Sequence, residues 1–290
     1  SSGYFEIVTN SLTSTKYIRN KNLWNKSESI KMINKLSEEH GVLKTNLLFT
    51  SLETIKYNLN HKQKNLKFFE LDKTYKKNKT RYEEKVKLAI YLVGKNSENH
   101  FNKETKFSNI NDLKDITHKV LQKSKIDEYN QTEFKDSFFK YGIAINKNQD
   151  EIARIGEISE EIKSLFEIKE KVFYSEIKWN EIYNLSKQNL FYKPISKYPE
   201  VKRDLSLIIN KSTKFNEIEK VVKKNNFNII KEMNLYDIYH GKNIEKNKKA
   251  YAIRFILQDD KGTLNDKKIN IVMKNLMKSF RNDLKAEIRE

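Results

Sequence analysis

Arg203-Asp204-Leu205-Ser206-Leu207-Ile208-Ile209 puts Leu205, Leu207 and Ile209 on one side of an extended chain, the pattern of a half-buried strand. From Lys214 to Asn226 the spacing becomes helical. Phe215, Ile218, Val221 and Val222 form one apolar stripe there, and Ser212 and Thr213 are placed to cap it. A second strand runs to Leu235-Tyr236-Asp237-Ile238-Tyr239, His240-Gly241-Lys242-Asn243 supplies a turn, and Ala250 to Gln258 makes a third strand. Asn265 caps a second helix whose inner face is Ile269, Val272, Met273, Leu276 and Phe280, and Leu284 to Arg289 closes as a fourth strand. The order β-α-β-β-α-β is that of a split-βαβ, ferredoxin-like unit.

The pleat sorts these strands onto two faces. Leu205, Leu207, Ile209, Tyr236, Ile238, Tyr251, Ile253, Phe255, Leu257, Leu284, Ala286 and Ile288 fall on the face where both helices must pack. The other face collects Asp204, Ser206, Asp237, Tyr239, Ala250, Ala252, Arg254, Glu287 and Arg289. An aromatic residue, small residues and charges on an open sheet face suit a platform for unstacked RNA bases. A merely solvated sheet face gives the same pattern.

Four spaced motifs separate the two. Tyr198-Pro199-Glu200-Val201-Lys202-Arg203-Asp204, Tyr236-Asp237-Ile238-Tyr239-His240-Gly241-Lys242, Phe255-Ile256-Leu257-Gln258-Asp259 and Gly262-Thr263-Leu264-Asn265-Asp266 follow one another in family order. Together they resemble the ferredoxin-fold anticodon-binding domain at the C-terminus of phenylalanyl-tRNA synthetase β subunits. The resemblance implies anticodon contacts from Asp237 and Tyr239, with Ser206, Ala250 and Arg289 at aligned strand positions. Arg254 joins them on the same face. Ala250 stands where the family commonly has a small hydroxyl residue, which removes one hydrogen bond to RNA. Arg203 and Asp204 also match a family motif, and a salt bridge at a strand start accounts for them equally well.

The first 192 residues read as an α+β domain around a mostly antiparallel sheet. Gly3 to Leu12 is expected as a strand entered without a leading helix, which suggests a portion of a longer chain. Leu48, Leu52, Ile55 and Leu59 make a helical stripe ending near Asn60. Asn65 to Tyr75 and Val86 to Val93 read as buried strands on either side of a charged hairpin. Asn109 to Lys123 is an amphipathic helix with Leu113, Ile116, Val120 and Leu121 inward. Ser137 to Ile145 and Val172 to Ile177 read as strands, Glu151 to Ile158 leads into a helix ending near Phe166, and Trp179 to Leu185 closes as a short helix. Gln188 to Lys197, containing Pro194, is the expected linker, giving domains at 1–192 and 193–290.

This segment also resembles the β-subunit region built like a class II synthetase core, through NKLSEEHGVLKTNLL (34–48), NLKFFELDKTY (65–75) and ARIGEISEEIKSLFEIKEKVFYSEI (153–177). A working class II site needs one arginine on a strand for the ATP α-phosphate. It needs another after a glycine-rich stretch, and carboxylates for Mg²⁺. Here the first position offers Phe68-Phe69-Glu70-Leu71-Asp72, and the later segment has Gly156 and Arg154 but no glycine-rich cradle, in a chain with only 7 glycines. Glu70, Asp72 and Glu157 are scattered acids, expected as surface or hydrogen-bonding residues. No catalytic residue and no metal ligand is therefore assigned.

The resemblance implies a non-catalytic partner of an α subunit in an α2β2 phenylalanine–tRNA ligase. That assembly joins phenylalanine to tRNA(Phe) with ATP and Mg²⁺, in the cytoplasm, and this chain binds neither cofactor. The family's editing and tRNA-elbow domains have no counterpart in these residues. A free-standing RNA-binding module and a scaffold with an incidental basic surface are the rival classes.

Composition agrees in outline. With 290 residues and 37% hydrophobic residues, the chain can bury two cores. No apolar run is long enough to span a bilayer, and no signal-peptide pattern is present. The absence of cysteine removes disulfides and thiolate zinc sites, and the 5 histidines show no ligand spacing. The net charge of +18 points to a polyanion, although a chain rich in Lys, Asn and Ile can be basic through compositional bias alone. Its distribution is more telling. From Lys193 onward there are 23 Lys and Arg against 13 Asp and Glu, while the first 192 residues hold 34 against 26. The shorter segment thus carries the larger surplus, +10 against +8.

Overall fold

The computed structural model describes residues 3–19, 26–34, 37–79, 81–96, 106–186, 194, 196–240 and 244–289. The chain divides into two compact units, Ser1–Leu190 and Phe191–Glu290. In the first unit β1 (Phe5–Glu6), β2 (Leu12–Thr13) and β3 (Val42–Leu43) are short, and α1 (Leu48–Asn60) follows. A long hairpin, β4 (Leu66–Lys77) and β5 (Tyr82–Val93), precedes α2 (Ile110–Lys123), β6 (Asn130–Phe134), β7 (Phe139–Lys147) and β8 (Asp150–Ile158). The unit ends with α3 (Glu160–Leu165), β9 (Val172–Lys178) and α4 (Trp179–Leu185).

Seven strands pair in the order β1-β4-β5-β9-β8-β7-β6. Only β1 joins its neighbour in parallel. The continuous apolar run Leu88 to Val93 reflects burial on both sides of this sheet. Ala89, Tyr91 and Val93 pack with Leu48, Leu52 and Ile55 of α1, while Leu88, Ile90 and Leu92 pack with Leu113 and Leu121 of α2. The side chain of Asn109 caps α2 by accepting from the Asn111 N–H at 2.8 Å, and Asp112 reaches back to the Asn109 N–H at 2.9 Å.

Two expectations for this unit change. Gly3 to Leu12 is not one strand, because after Phe5–Glu6 the chain leaves the sheet edge and Thr9 turns both its N–H and its hydroxyl to the Glu70 carboxylate. The strand expected from Ser137 starts at Phe139, because Asp136 accepts from the N–H groups of Phe138 and Phe139 and holds the entry as a turn.

The second unit comprises β10 (Val201–Asn210), α5 (Phe215–Lys224), β11 (Ile230–Tyr239), β12 (Lys248–Leu257), α6 (Asp266–Leu284) and β13 (Glu287–Arg289). The strands are antiparallel in the order β11-β12-β10-β13, the ferredoxin-like arrangement. Leu205, Leu207, Ile209, Tyr251, Ile253, Phe255 and Leu257 face Ile218 and Val221 of α5 and Ile269, Met273, Leu276 and Phe280 of α6. The Asn265 side chain caps α6 by accepting from the Lys268 N–H at 2.8 Å.

Neither Ser212 nor Thr213 caps α5. The N-cap is Lys214, whose N–H donates to the Glu217 carboxylate at 2.8 Å, while the Thr213 carbonyl accepts from the Lys249 ammonium. Leu284 belongs to the end of α6, which stops at Lys285 in the left-handed region with φ 50°. Gly241 to Asn243 of the expected turn, and most of the expected linker at 188–197, lie outside the described residues. No helix among the described residues is long and apolar enough to cross a membrane.

Ile55 lies in the middle of the α1 stripe and is fully buried. Ile55→Asp places an unpaired carboxylate there and is expected to cost on the order of several kcal/mol. Thermal melting of the variant checks this; an unchanged melting temperature contradicts the packing described.

Candidate nucleic-acid interface

β12 lies between β10 and β11, and its register sets a grid on the face the helices leave open. Ala250 stands between Tyr239 and Ile208, with Glu287 beyond on β13. Ala252 stands between Asp237 and Ser206, with the backbone of Arg289 beyond. Arg254 stands between Asn234 and Asp204. Five of the six candidate residues, Ser206, Asp237, Tyr239, Ala250 and Arg254, therefore share one face, and Arg289 is placed by its backbone opposite Ser206.

Small side chains make the floor of this face. Tyr239 flanks Ala250 and is 50% exposed, and among the described residues its ring contacts no other ring. The Asp237 carboxylate accepts the N–H of the next residue, Ile238, at 2.8 Å and remains exposed. Ile208, which the alternation had not singled out, adds an apolar surface beside Ala250.

Tyr236 corrects the face assignment. The pairing slips between Leu235 and Asp237, so Leu235 opposes Ile253, Asp237 opposes Ala252, and Tyr236 has no partner of its own. Such a bulge places two consecutive side chains on one side of a strand. Tyr236 leaves the helix face, where alternation had put it, and is 56% exposed on the open face. Its ring lies 5.2 Å from the Arg254 guanidinium carbon. Ile238 keeps its place opposite Tyr251 but is 46% exposed, because β11 is the edge strand. A signal was available: the partly buried Met233 and Leu235 are followed by Ile238 after three residues rather than two.

Arg254 is not a free cation. Its Nε and Nη2 donate to the two oxygens of Asp204 at 2.8 and 2.7 Å, a bidentate fork. Hydrogen bonding to Arg254 holds the Asp204 carboxyl below its usual range, and the same bond raises the guanidinium. Arg203 pairs instead with Asp266 at the start of α6, at 3.4 Å. Lys248 sits between Glu245 and Glu287.

The first unit holds a cavity of about 320 Å³, lined in part by Lys87, Asp136, Phe139, Arg154, Tyr174 and Glu176. Its charges pair with one another. Lys87 meets Glu176 at 2.8 Å, and Arg154 meets Glu151 at 2.8 Å and Asp136 at 3.1 Å. Burial pushes the Glu176 carboxyl up, but Lys87, the Tyr174 hydroxyl and Arg154 together hold it below its usual range. Of the two roles expected for Glu70, surface or hydrogen-bonding, it has the second. It is buried, and it accepts from Thr9, from Ser51 at 3.0 Å and from Lys44 at 3.2 Å, while Asp72 meets the same ammonium at 2.7 Å. Glu157 is buried as well, with Lys140 at 3.6 Å. Beside it the Tyr141 hydroxyl is pushed up to about 12, by burial first and then by the carboxylate. Among the described residues no group of acids and histidines is arranged to hold a metal ion.

Comparison with known proteins returns the same two units. The family model described as the phenylalanyl tRNA synthetase beta chain CLM domain matches residues 1–179, and the ferredoxin-fold anticodon binding domain matches residues 196–289. The phenylalanine–tRNA ligase beta subunit of Bacteroides thetaiotaomicron is 33% identical over 300 residues, covering 99% of this chain and 37% of that protein. That of Fusobacterium nucleatum is 31% identical over 270 residues, covering 91% of this chain and 34% of that protein. This chain thus spans little more than a third of these relatives. Among solved structures, pyrrolysyl-tRNA synthetase from Desulfitobacterium hafniense aligns with a TM-score of 0.50 and 13% identity over 63% of each chain, a likeness of fold alone.

Because Asp237 and Tyr239 point away from both helices, the double variant Asp237→Ala/Tyr239→Ala is expected to stay within about 0.5 kcal/mol of the parent in stability. Chemical denaturation measures this, and a loss of several kcal/mol would make these residues part of the core.

Proposed function

This chain belongs to the phenylalanyl-tRNA synthetase beta-chain family, and from that premise we propose that it is the C-terminal part of a phenylalanine–tRNA ligase β subunit. In this reading residues 1–192 are a non-catalytic, class II-like core that assembles with the α subunit in an α2β2 enzyme. Residues 193–290 read the anticodon of tRNA(Phe). The ATP and Mg²⁺ of the reaction belong to the α subunit's site, and the setting is the cytoplasm.

The observation that carries the RNA-binding part is the open grid: Tyr239 beside Ala250, and Asp237 beside Ala252 and Ser206. A half-exposed ring next to an alanine offers a flat apolar surface. The Tyr239 ring stacks on an unpaired base. The Asp237 carboxylate accepts from a base edge, where an acid discriminates among bases because it repels the phosphates around it. Ser206 supplies a hydroxyl on the same row, and Ala250 supplies none. The charge surplus of the last third draws the RNA toward this unit without choosing its sequence.

In the assembled enzyme, Tyr239→Ala is expected to raise the KM for tRNA by roughly 5- to 150-fold, the equivalent of about 1–3 kcal/mol of lost stacking. ATP–pyrophosphate exchange should be unchanged. Asp237→Ala is expected to narrow the difference between cognate and anticodon-altered tRNA more than it weakens binding. Unaffected charging by both variants would reduce the face to a solvated sheet surface. Failure of the α subunit to copurify with the chain would favour a free-standing RNA-binding module.

A further inference from the structure

We propose that Tyr236, Arg254 and Asp204 form a second stacking step on the open face, which takes another unpaired nucleobase of the same RNA rather than one of its phosphates. The inference rests on the RNA-binding reading of that face and adds a subsite to it.

The bulge supplies the first ground. An extra residue in β11 turns the Tyr236 ring onto the face that already carries Asp237 and Tyr239. There the ring is 56% exposed even with the Arg254 guanidinium 5.2 Å from its centre. An aromatic side chain left half in water on a face with a core available behind it has its apolar surface uncovered.

The state of Arg254 supplies the second. Its fork is closed on Asp204 by two hydrogen bonds, of 2.8 and 2.7 Å, and the side chains of both partners remain 43% exposed. A guanidinium neutralised in this way has little attraction left for a phosphate. It is instead held as a plane beside a ring, and planar Arg surfaces stack on bases as aromatic rings do. An exposed ion pair contributes little to the fold, and it has no need of a ring beside it.

Position supplies the third. Along β12, Arg254 is four residues from Ala250, about 13 Å at strand rise. Tyr239 stands at the Ala250 end of that span, and the Tyr236 ring is held at the Arg254 end. The floor between the two steps is Ala252 and Ser206, small enough to let the strand of RNA run across. The second step therefore continues the first along one strand direction.

The test uses the full chain and a hairpin RNA carrying the anticodon stem and loop of tRNA(Phe), with dissociation constants measured across a range of salt concentrations. Tyr236→Leu and the charge-neutral double variant Asp204→Asn/Arg254→Gln are each expected to weaken binding about tenfold and to leave the salt dependence unchanged. Tyr236→Phe, which keeps the ring, is expected to bind as the parent does. A fall of about 0.7 in the salt slope with Asp204→Asn/Arg254→Gln would mean a phosphate contact and overturn the proposal. Parental affinity in both Tyr236→Leu and Asp204→Asn/Arg254→Gln, with binding lost in Tyr239→Ala, would overturn the second step while the platform stands. Parental affinity in Tyr239→Ala as well would overturn the platform reading and the second step with it. If the double variant fails to fold, the comparison of Tyr236→Leu with Tyr236→Phe decides.

Discussion

Two helices can cover only one side of a four-stranded sheet, and the second unit is shaped by that constraint. Leu205, Leu207, Ile253, Phe255 and Leu257 are committed to α5 and α6, so the alternate residues of the same strands must face away. What they present is decided by which side chains water tolerates there. Alanines, a serine, carboxylates and tyrosines satisfy that requirement, and they also suit contact with bases. The folding pattern and the binding surface are thus two sides of one alternation.

The first unit meets the opposite condition. Its seven-stranded sheet is covered on both faces, by α1 on one side and α2 on the other. Polar groups trapped within it have to find partners inside the protein. Glu70 does so through Thr9, Lys44 and Ser51, and that network draws the N-terminal segment off the sheet edge. In the cavity nearby, Arg154 and Lys87 are held by carboxylates of the same sheet and its loops. A cation so engaged serves the packing of its own unit.

Legibility followed the strength of the local signal. The α1 stripe, the Leu88 to Val93 run and the Asn265 cap each combine periodicity with a suitable boundary residue, and all three hold. β6 went unread because Asn130-Gln131-Thr132-Glu133-Phe134 is an edge strand with one apolar residue, so burial leaves no alternation to see. The α5 cap was misplaced because the capping carboxylate lies inside the helix, at Glu217, rather than ahead of it. Of the candidate site, the face shared by Asp237 and Tyr239 was legible from the pleat, and the roles of its members from family motifs. The committed state of Arg254 was not, since the Asp204 partner comes from another strand 50 residues away in sequence. Tyr236 was assigned to the wrong face because strict alternation has no place for an extra residue.

That extra residue makes β11 a matter of parity. Counted on from Leu235 in unbroken alternation, Asp237 and Tyr239 would turn inward and Tyr236 and Ile238 outward. Doubling up at Tyr236 shifts the count by one and sends Asp237 and Tyr239 to the open side. The alternative frame would turn the Asp237 carboxylate to the helix side of this edge strand and take Ile238 away from it, against the preference of both side chains. The order after the bulge, carboxylate outward and isoleucine inward, thus agrees with the register that keeps Asp237 and Tyr239 on the open side.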